Sequence, residues 1–554
     1  GFQSSIQYDM TFGLGQSNKL DSIRIVWPDN LTQKLENVAV NQVLTVKHSN
    51  AKETYKLPKK DAKKSFLTEL KTDVVTAHKE DNYNDFDYEG LIAHKLSQEG
   101  PSLAIADING DGNEDIFIGG AKNQSGAIYI HRGNGKIVPK KSSVFDEDKE
   151  FEDVAAAFFD ADGDGDLDLV VGSGGNDVSM QRNYGARLYF NDGRGNFSKS
   201  ENELPSTFKN ISTISPYDYD NDGDVDLFIG SRSVVGVYGI SPDHLLLENM
   251  GDGTFNNVTE RLGYDLKNAG MVTDSKWEDI DGDGKKDLIV SAEWDTPKIY
   301  KNTGRRLSKM NSSLDSLYGW WNTVETADLD GDGDQDLILG NQGLNLHYKP
   351  TEYAPMKMYI NDYDNNGTIE QIMTMQENGG DYPIHQKREL TEQLPSLKKQ
   401  NLKASDYAHR TIQQLFPKEV MDKSIVKKVE TSASVIAINE GGGKFTIKNL
   451  PPRVQLSCVC DITCTDVNND GNLDLIMAGN NYEFKPQFSR LDASQGNLLL
   501  GDGNLNFTWQ DYETSGFKIR EEVKYLKQFK DKNGKTYVVA AINNNKPKIF
   551  ALNE

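Results

Sequence analysis

Asp160-Ala-Asp-Gly-Asp-Gly-Asp-Leu-Asp168 is one of seven copies of a nine-residue acidic loop in this 554-residue chain. The other copies begin at Asp107, Asp218, Asp279, Asp328, Asp362 and Asp466. Oxygen-bearing side chains fall at positions 1, 3, 5 and 9, and glycine at position 6. A hard cation such as calcium takes roughly six to eight oxygens, and glycine allows the sharp turn that wraps them around it. The expected ligands are side chains at positions 1, 3, 5 and 9 and the backbone carbonyl at position 7.

That rule names Asp107, Asn109, Asp111, Asn113 and Asp115 in the first loop. It names Asp160, Asp162, Asp164, Asp166 and Asp168 in the second, and Asp218, Asp220, Asp222, Asp224 and Asp226 in the third. Asp279, Asp281, Asp283, Lys285 and Asp287 follow, then Asp328, Asp330, Asp332, Asp334 and Asp336. The last two sets are Asp362, Asp364, Asn366, Thr368 and Glu370, and Asp466, Asn468, Asp470, Asn472 and Asp474. An EF-hand would need a bidentate Glu at position 12. That position holds Ile118, Val171, Ile229, Val290, Leu339, Met373 and Met477, none of which binds calcium. Short apolar runs such as Leu169-Val-Val-Gly and Leu227-Phe-Ile-Gly follow the loops and suit buried strands. About seven structural Ca²⁺ sites are therefore expected, each joining two neighbouring strands.

Most loops recur about every 50 to 60 residues, a spacing typical of propellers and arrays. A hairpin signature follows most of them, as in Leu188-Tyr-Phe-Asn-Asp-Gly and Leu245-Leu-Leu-Glu-Asn. One repeat thus reads as four antiparallel strands, with the acidic loop between the first and second. The final repeat ends at Lys548-Ile-Phe-Ala-Leu with no room for a fourth strand. A segment around Ser65 to Val75 is expected to supply it, because an open edge is a liability. The fold class is all-β: a seven-bladed propeller with the Asp362 loop in an insertion or a distorted blade, an eight-bladed ring being the alternative. Residues 377 to about 430 have helical spacing and read as an insertion on one face. Residues 1–50 form a separate β module, 51–64 a Lys-rich linker, and 65–554 the propeller.

The formal charge is −23, and seven divalent ions would cancel 14 of those charges. The acidity argues against nucleic acid as a partner. No stretch is apolar enough to span a membrane. Cys458, Cys460 and Cys464 lack the spacing and fourth ligand of a zinc site and read as buried thiols.

The acidic loops resemble the FG-GAP/VCBS calcium repeats of integrin-type propellers. Phe12-Gly-Leu-Gly and Val26-Trp-Pro-Asp resemble the C-terminal part of the ASPIC/UnbV module. That module accompanies such repeats in cartilage-acidic-protein relatives and in large Bacteroidota surface proteins. The resemblance implies an exported, calcium-loaded binding protein at the bacterial cell surface or outer membrane. An upstream export signal or lipid anchor is expected with it.

If the metals staple one face, a ligand is expected on the other, where the loops between second and third strands lie. Arg232, Trp294, Asn341, Asn480, Tyr482, Arg490 and Asp492 are the candidates there, offering stacking and hydrogen bonds to a glycan or protein. A non-catalytic binding protein is the first reading, with an accessory role in an outer-membrane nutrient-uptake complex as one form. A polysaccharide-active, lyase-like enzyme and an adhesion or scaffold subunit are the alternatives. His78 and His94 are the histidines nearest other polar residues of interest for the enzyme.

Overall fold

The structure is a computed structural model and describes residues 9–56, 64–71, 75–180, 183–200, 204–205 and 209–553. The chain divides into two compact units, Gly1–Lys63 and Lys64–Glu554. The first holds a three-stranded antiparallel sheet of Lys19–Val26, Leu31–Ala39 and Glu53–Thr54. Trp27 packs edge-on against His48 within it, and His48 pairs with Asp29 at 2.8 Å. Residues 57–63 of the expected linker lie outside the described residues.

The second unit is built from antiparallel sheets, and seven of them follow one plan. Their first strands are Leu103–Ala106, Asp153–Phe159, Asn210–Tyr217, Met271–Glu278, Thr323–Ala327, Asp461–Thr465 and Val523–Lys530. In each of the first six sheets the acidic loop leads into a second strand that begins at its ninth residue. These second strands are buried along nearly their whole length, as at Asp168–Ser173 and Asp226–Ser233. They sit between two neighbouring sheets, so both of their faces must be apolar. This explains why the sequence gives unbroken apolar runs there instead of alternation.

Neighbouring sheets share cores. Ala155, Val170 and Leu188 of the second pack with Ile211, Leu227 and Leu245 of the third. The series continues to the seventh, whose Phe529, Val539 and Ile549 pack with Leu103, Ile116 and Tyr129 of the first. This all-β arrangement is consistent with a propeller.

The seventh sheet is completed from far upstream. Leu67–Leu70 pairs antiparallel with Lys548–Leu552, Leu67 opposite Leu552 and Leu70 opposite Ile549. The expected outer strand is thus present, and it joins the beginning and the end of the second unit in one sheet. Leu67 is fully buried against Phe550 and Val538.

The insertion is larger than its helical spacing suggests. It opens after the second strand of the fifth sheet, Asp336–Gly340, and returns at the third, Val435–Asn439. Between them lies a sheet of its own, ordered Gly380–Pro383, Glu370–Glu377, Met356–Asn361, Ile425–Val429. Five short helices between Lys387 and Met421 pack on it through Leu390, Leu394, Tyr407 and Ile412. The Asp362 loop joins two strands of this inserted sheet.

Candidate metal centres and the capped opposite face

All seven acidic loops share one hydrogen-bond scaffold. The first Asp accepts the N–H of the sixth-position glycine, for example Gly112 to Asp107 at 2.8 Å, Gly165 to Asp160 at 3.0 Å and Gly471 to Asp466 at 2.8 Å. The glycine can present that N–H because its φ is positive, 90° at Gly165 and 103° at Gly223. The fifth residue accepts the N–H of the seventh, as Asp166 to Asp164 at 2.9 Å and Thr368 to Asn366 at 2.7 Å. These bonds turn the carboxylates inward along a tight path.

The ninth residue does more than close the loop. One oxygen of Asp168 accepts the N–H of Ala161 at 2.9 Å, and the other accepts that of Asn191, on the third strand, at 2.8 Å. Asp226 repeats this with Tyr219 and Asn249, and Asp336 with Leu329 and Asn439. Glu370 of the inserted sheet accepts from Tyr363 and from the Thr368 hydroxyl. Burial pushes Asp115, Asp168 and Asp226 up to about 7 and Asp287, Asp336 and Asp474 up to about 6. Backbone N–H donors oppose that rise, and neighbouring carboxylates add to it.

The asparagine on the third strand is a residue that sequence reasoning missed. Asn191, Asn249, Asn302 and Asn439 each donate to a carbonyl of their own loop and to one in the preceding sheet's loop. Asn249 reaches Val225 at 3.1 Å and Ala161 at 3.0 Å, and Asn302 reaches Lys286 at 3.2 Å and Tyr219 at 2.8 Å. In the sequence these asparagines look like turn residues; in the fold they tie one sheet to the next.

Four loops gather three carboxylate oxygens within 4.8 Å of one another: Asp160, Asp162 and Asp168; Asp218, Asp220 and Asp226; Asp279, Asp281 and Asp287; Asp328, Asp330 and Asp332. Buried carboxylate oxygens at position 3, Oδ1 of Asp220, Asp281 and Asp364, find no hydrogen-bond partner. Crowded like charges push Asp162, Asp220 and Asp330 up, although burial is the larger cause. Converging oxygens, orphaned lone pairs and raised acids are what a hard divalent cation would satisfy, so these residues fit one. In the first loop the Asn109 amide donates to Asp115 at 2.6 Å, within the loop's own oxygen set.

The loops between second and third strands hold the candidate ligand residues, and here the structure corrects the expectation. Trp294 is 3% exposed, its indole N–H bonded to the Tyr238 hydroxyl at 2.9 Å. Asn341 is fully buried and donates to the Thr431 carbonyl at 3.3 Å. Asn480 is 1% exposed and donates to Ser494 and Arg520 carbonyls. These three side chains hold loops in place and are not a free surface. Arg232 is enclosed between Glu293 at 3.3 Å and Glu99 at 3.9 Å, which raise its pKa against burial. Tyr482 lies under the Arg490 guanidinium at 4.7 Å, and Arg490 pairs with Asp492 at 2.7 Å. Of these candidates Arg490 and Asp492 are exposed, while Tyr482 is half-buried with its hydroxyl donating to the Arg520 carbonyl.

The covering element is the chain itself. Residues 78–101 cross these loops before the first sheet begins. His78 donates its backbone N–H to Asn545 at 2.9 Å, and the Asn543 amide donates to Gln98 at 2.8 Å. Asp85 accepts from Ser97 at 2.5 Å and Asn176 at 3.3 Å. Glu89 accepts from Asn176 at 2.6 Å, Tyr238 at 2.7 Å and Gln371 at 3.0 Å. Lys95 and Lys485 exchange backbone bonds with Glu483 and Ala93. His94 lies 3.8 Å from Glu293, and burial holds it and His78 neutral, His78 at about 3. Beneath the cap, among the first strands of all seven sheets, lies a cavity of about 560 Å³ lined by Arg232, Asp274, Lys276, Asp461, Lys524 and Tyr525 among others. Cys460 also lines it, its sulfur 3.5 Å from that of the buried Cys458.

Comparison with known proteins places FG-GAP-like repeats over several of the acidic loops. The ASPIC and UnbV family matches residues 1–53, and the FG-GAP-like repeat matches 107–171, 172–229 and 279–339. Cartilage acidic protein 1 of Homo sapiens is 24% identical over 196 residues, 35% of this chain and 28% of that protein. The Xenopus tropicalis protein is 25% identical over 197 residues, with the same shares. This chain thus spans less than a third of the length of the curated relatives it matches. Among solved structures, YCF48 from Cyanidioschyzon merolae has a TM-score of 0.39 at 8% identity, covering 83% of this chain and 98% of that one. The V. cholerae biofilm matrix protein Bap1 has a TM-score of 0.36 at 11% identity, covering 88% and 91%. The chain thus contains three segments matching the FG-GAP-like repeat and one matching the ASPIC and UnbV family.

Proposed function

We propose that the second unit is a seven-bladed, calcium-stapled β-propeller that serves as a non-catalytic binding or scaffold module. The blade count is supported by seven like sheets whose cores adjoin in series, the seventh meeting the first, with the inserted sheet outside that series. The observation that carries the calcium reading is the convergence of three carboxylate oxygens within 4.8 Å in four separate loops. Up to seven Ca²⁺ ions would hold first to second strands and neutralise the clustered acids.

The partner, in this reading, is a glycan or a protein engaged away from the calcium loops. Arg490 and Asp492 supply an exposed guanidinium and carboxylate there, with the half-buried Tyr482 ring beneath the guanidinium. The protein acts outside the cell, at a bacterial surface where millimolar calcium keeps such loops loaded. Among the described residues no helix is long and apolar enough to cross a membrane. Two measurements test the proposal. Excess EDTA should lower the melting temperature, and an unchanged value would remove the calcium reading. Gentle-detergent capture from the native cells, with Tyr482→Ala/Arg490→Ala as the control, should retain a partner that the double variant loses. Co-purification of an outer-membrane transporter would make this chain an accessory of nutrient uptake.

A further inference from the structure

One position on the third strand differs in charge from sheet to sheet, and it lies beside the acidic loop. It immediately precedes the residue whose N–H binds the ninth-position Asp. The position holds Ile130, Phe190, Ile438 and Leu500 in the first, second, fifth and sixth sheets. In the third sheet it holds Glu248, and in the fourth Lys301.

Lys301 does not point away from its loop. Its ammonium contacts Asp281 and lies 3.1 Å from Asp283, the third and fifth residues of the loop. Both are oxygens that a cation in this loop would use. The same loop carries Lys285 at position 7, where the second, third and fifth loops have Asp. Glu248, at the same position in the third sheet, has no such contact with its loop among the described residues. Its carboxylate is paired with Arg261 at 3.1 Å.

We propose that Lys301 is a built-in counter-cation that weakens cation binding at the fourth loop relative to loops with a carbon side chain at this position. This rests on the calcium reading above. The physical argument is competition. A divalent ion entering the fourth loop must displace the ammonium from two carboxylates or share them with it, and either weakens binding relative to a loop flanked by a carbon side chain. The fourth sheet then keeps its loop charge-balanced when calcium is scarce.

The test counts ions on the intact chain by native mass spectrometry across a calcium titration, for wild type and Lys301→Ile. Isoleucine is what the first and fifth sheets carry at this position, and Lys301→Met, which keeps most of the stem, guards against a folding defect. Lys301→Ile and Lys301→Met should both load one ion at a calcium concentration at least tenfold lower than in wild type. Adding Asp283→Asn to Lys301→Ile should remove that gain, placing it in the fourth loop. Superimposable loading curves for wild type and both Lys301 variants would overturn the inference while leaving the calcium reading intact. A wild-type chain that binds no ion at millimolar calcium would instead remove that reading, and this inference with it.

Discussion

The Glu89 carboxylate accepts the backbone N–H of Tyr238 at 2.7 Å, joining positions 149 residues apart. The same carboxylate takes an amide proton from Asn176 in the second sheet's loop and one from Gln371 in the inserted sheet. Three separate parts of the fold therefore converge on one side chain of the capping segment. Burial pushes Glu89 above the usual carboxylate range, and its three donors hold that rise in check. Glu89→Ala would strand three buried donors at a cost of about 1–3 kcal/mol each before relaxation. Hydrogen exchange should accelerate across residues 84–98 and 234–240, with Glu89→Gln intermediate. Unaltered protection in both segments would mean that the cap is held by something else.

In the second loop the ninth residue, Asp168, is a structural clamp as well as a candidate metal ligand. Asp168 accepts two backbone N–H groups, whereas Asp164 is exposed and accepts only one local bond. An amide at 168 can satisfy one of those donors and opposes the other. Asp168→Asn should therefore cost about 1–3 kcal/mol even in EDTA. Asp164→Asn should be nearly silent in EDTA yet lose part of the stabilisation that calcium confers. Denaturant midpoints of both variants, with and without calcium, give the comparison. Equal losses in EDTA would contradict the division of labour.

The seventh sheet depends on a strand brought in from residues 67–70. Leu67 is fully buried among Phe517, Val538 and Phe550, while Glu69 on the same strand is exposed. Leu67→Ala should cost about 2–5 kcal/mol, the range for a large-to-small change in a packed core. Glu69→Ala should change little. If Leu67→Ala leaves the unfolding midpoint in place, this strand does not close the seventh sheet.

What could be read in the sequence followed physical periodicity. The acidic loops, the strands beside them and the outer strand donated from upstream all leave a local pattern or a missing edge. The cap left none. Asp85, Glu89 and His94 form no repeat, and their partners Asn176, Tyr238 and Gln371 are scattered over 200 residues. Trp294 and Asn480 misled for a related reason. An aromatic or amide in a loop reads as surface chemistry until another segment covers it. The inserted sheet was likewise hidden, because Met356–Asn361 and Ile425–Val429 pair across the helices that dominate the spacing between them.

Two buried histidines give the fold an acid sensitivity separate from the carboxylates. His385 accepts the N–H of Met373 at 3.0 Å, and His244 accepts that of Ser231 at 3.1 Å. Each ring nitrogen must therefore stay unprotonated in the native state. Burial, the larger cause in both, lowers His385 to about 3 and His244 to about 4. An unfolded histidine titrates near 6.5, so between that pH and the native value the unfolded chain binds a proton that the native chain refuses. Stability is full above pH 6.5 and falls as the pH drops, by up to about 1.4 kcal/mol per pH unit for each ring. The acidic loops titrate over the same range, so the measurement must be a difference. His385→Gln can still offer an oxygen to Met373 but cannot take up the proton. The stability of wild type relative to this variant should decline by about 1 kcal/mol per unit between pH 6 and 4. A constant difference across that range would mean that His385 is protonated in the folded protein, and that its bond to Met373 is not what holds the inserted sheet to the segment beginning at Ile384.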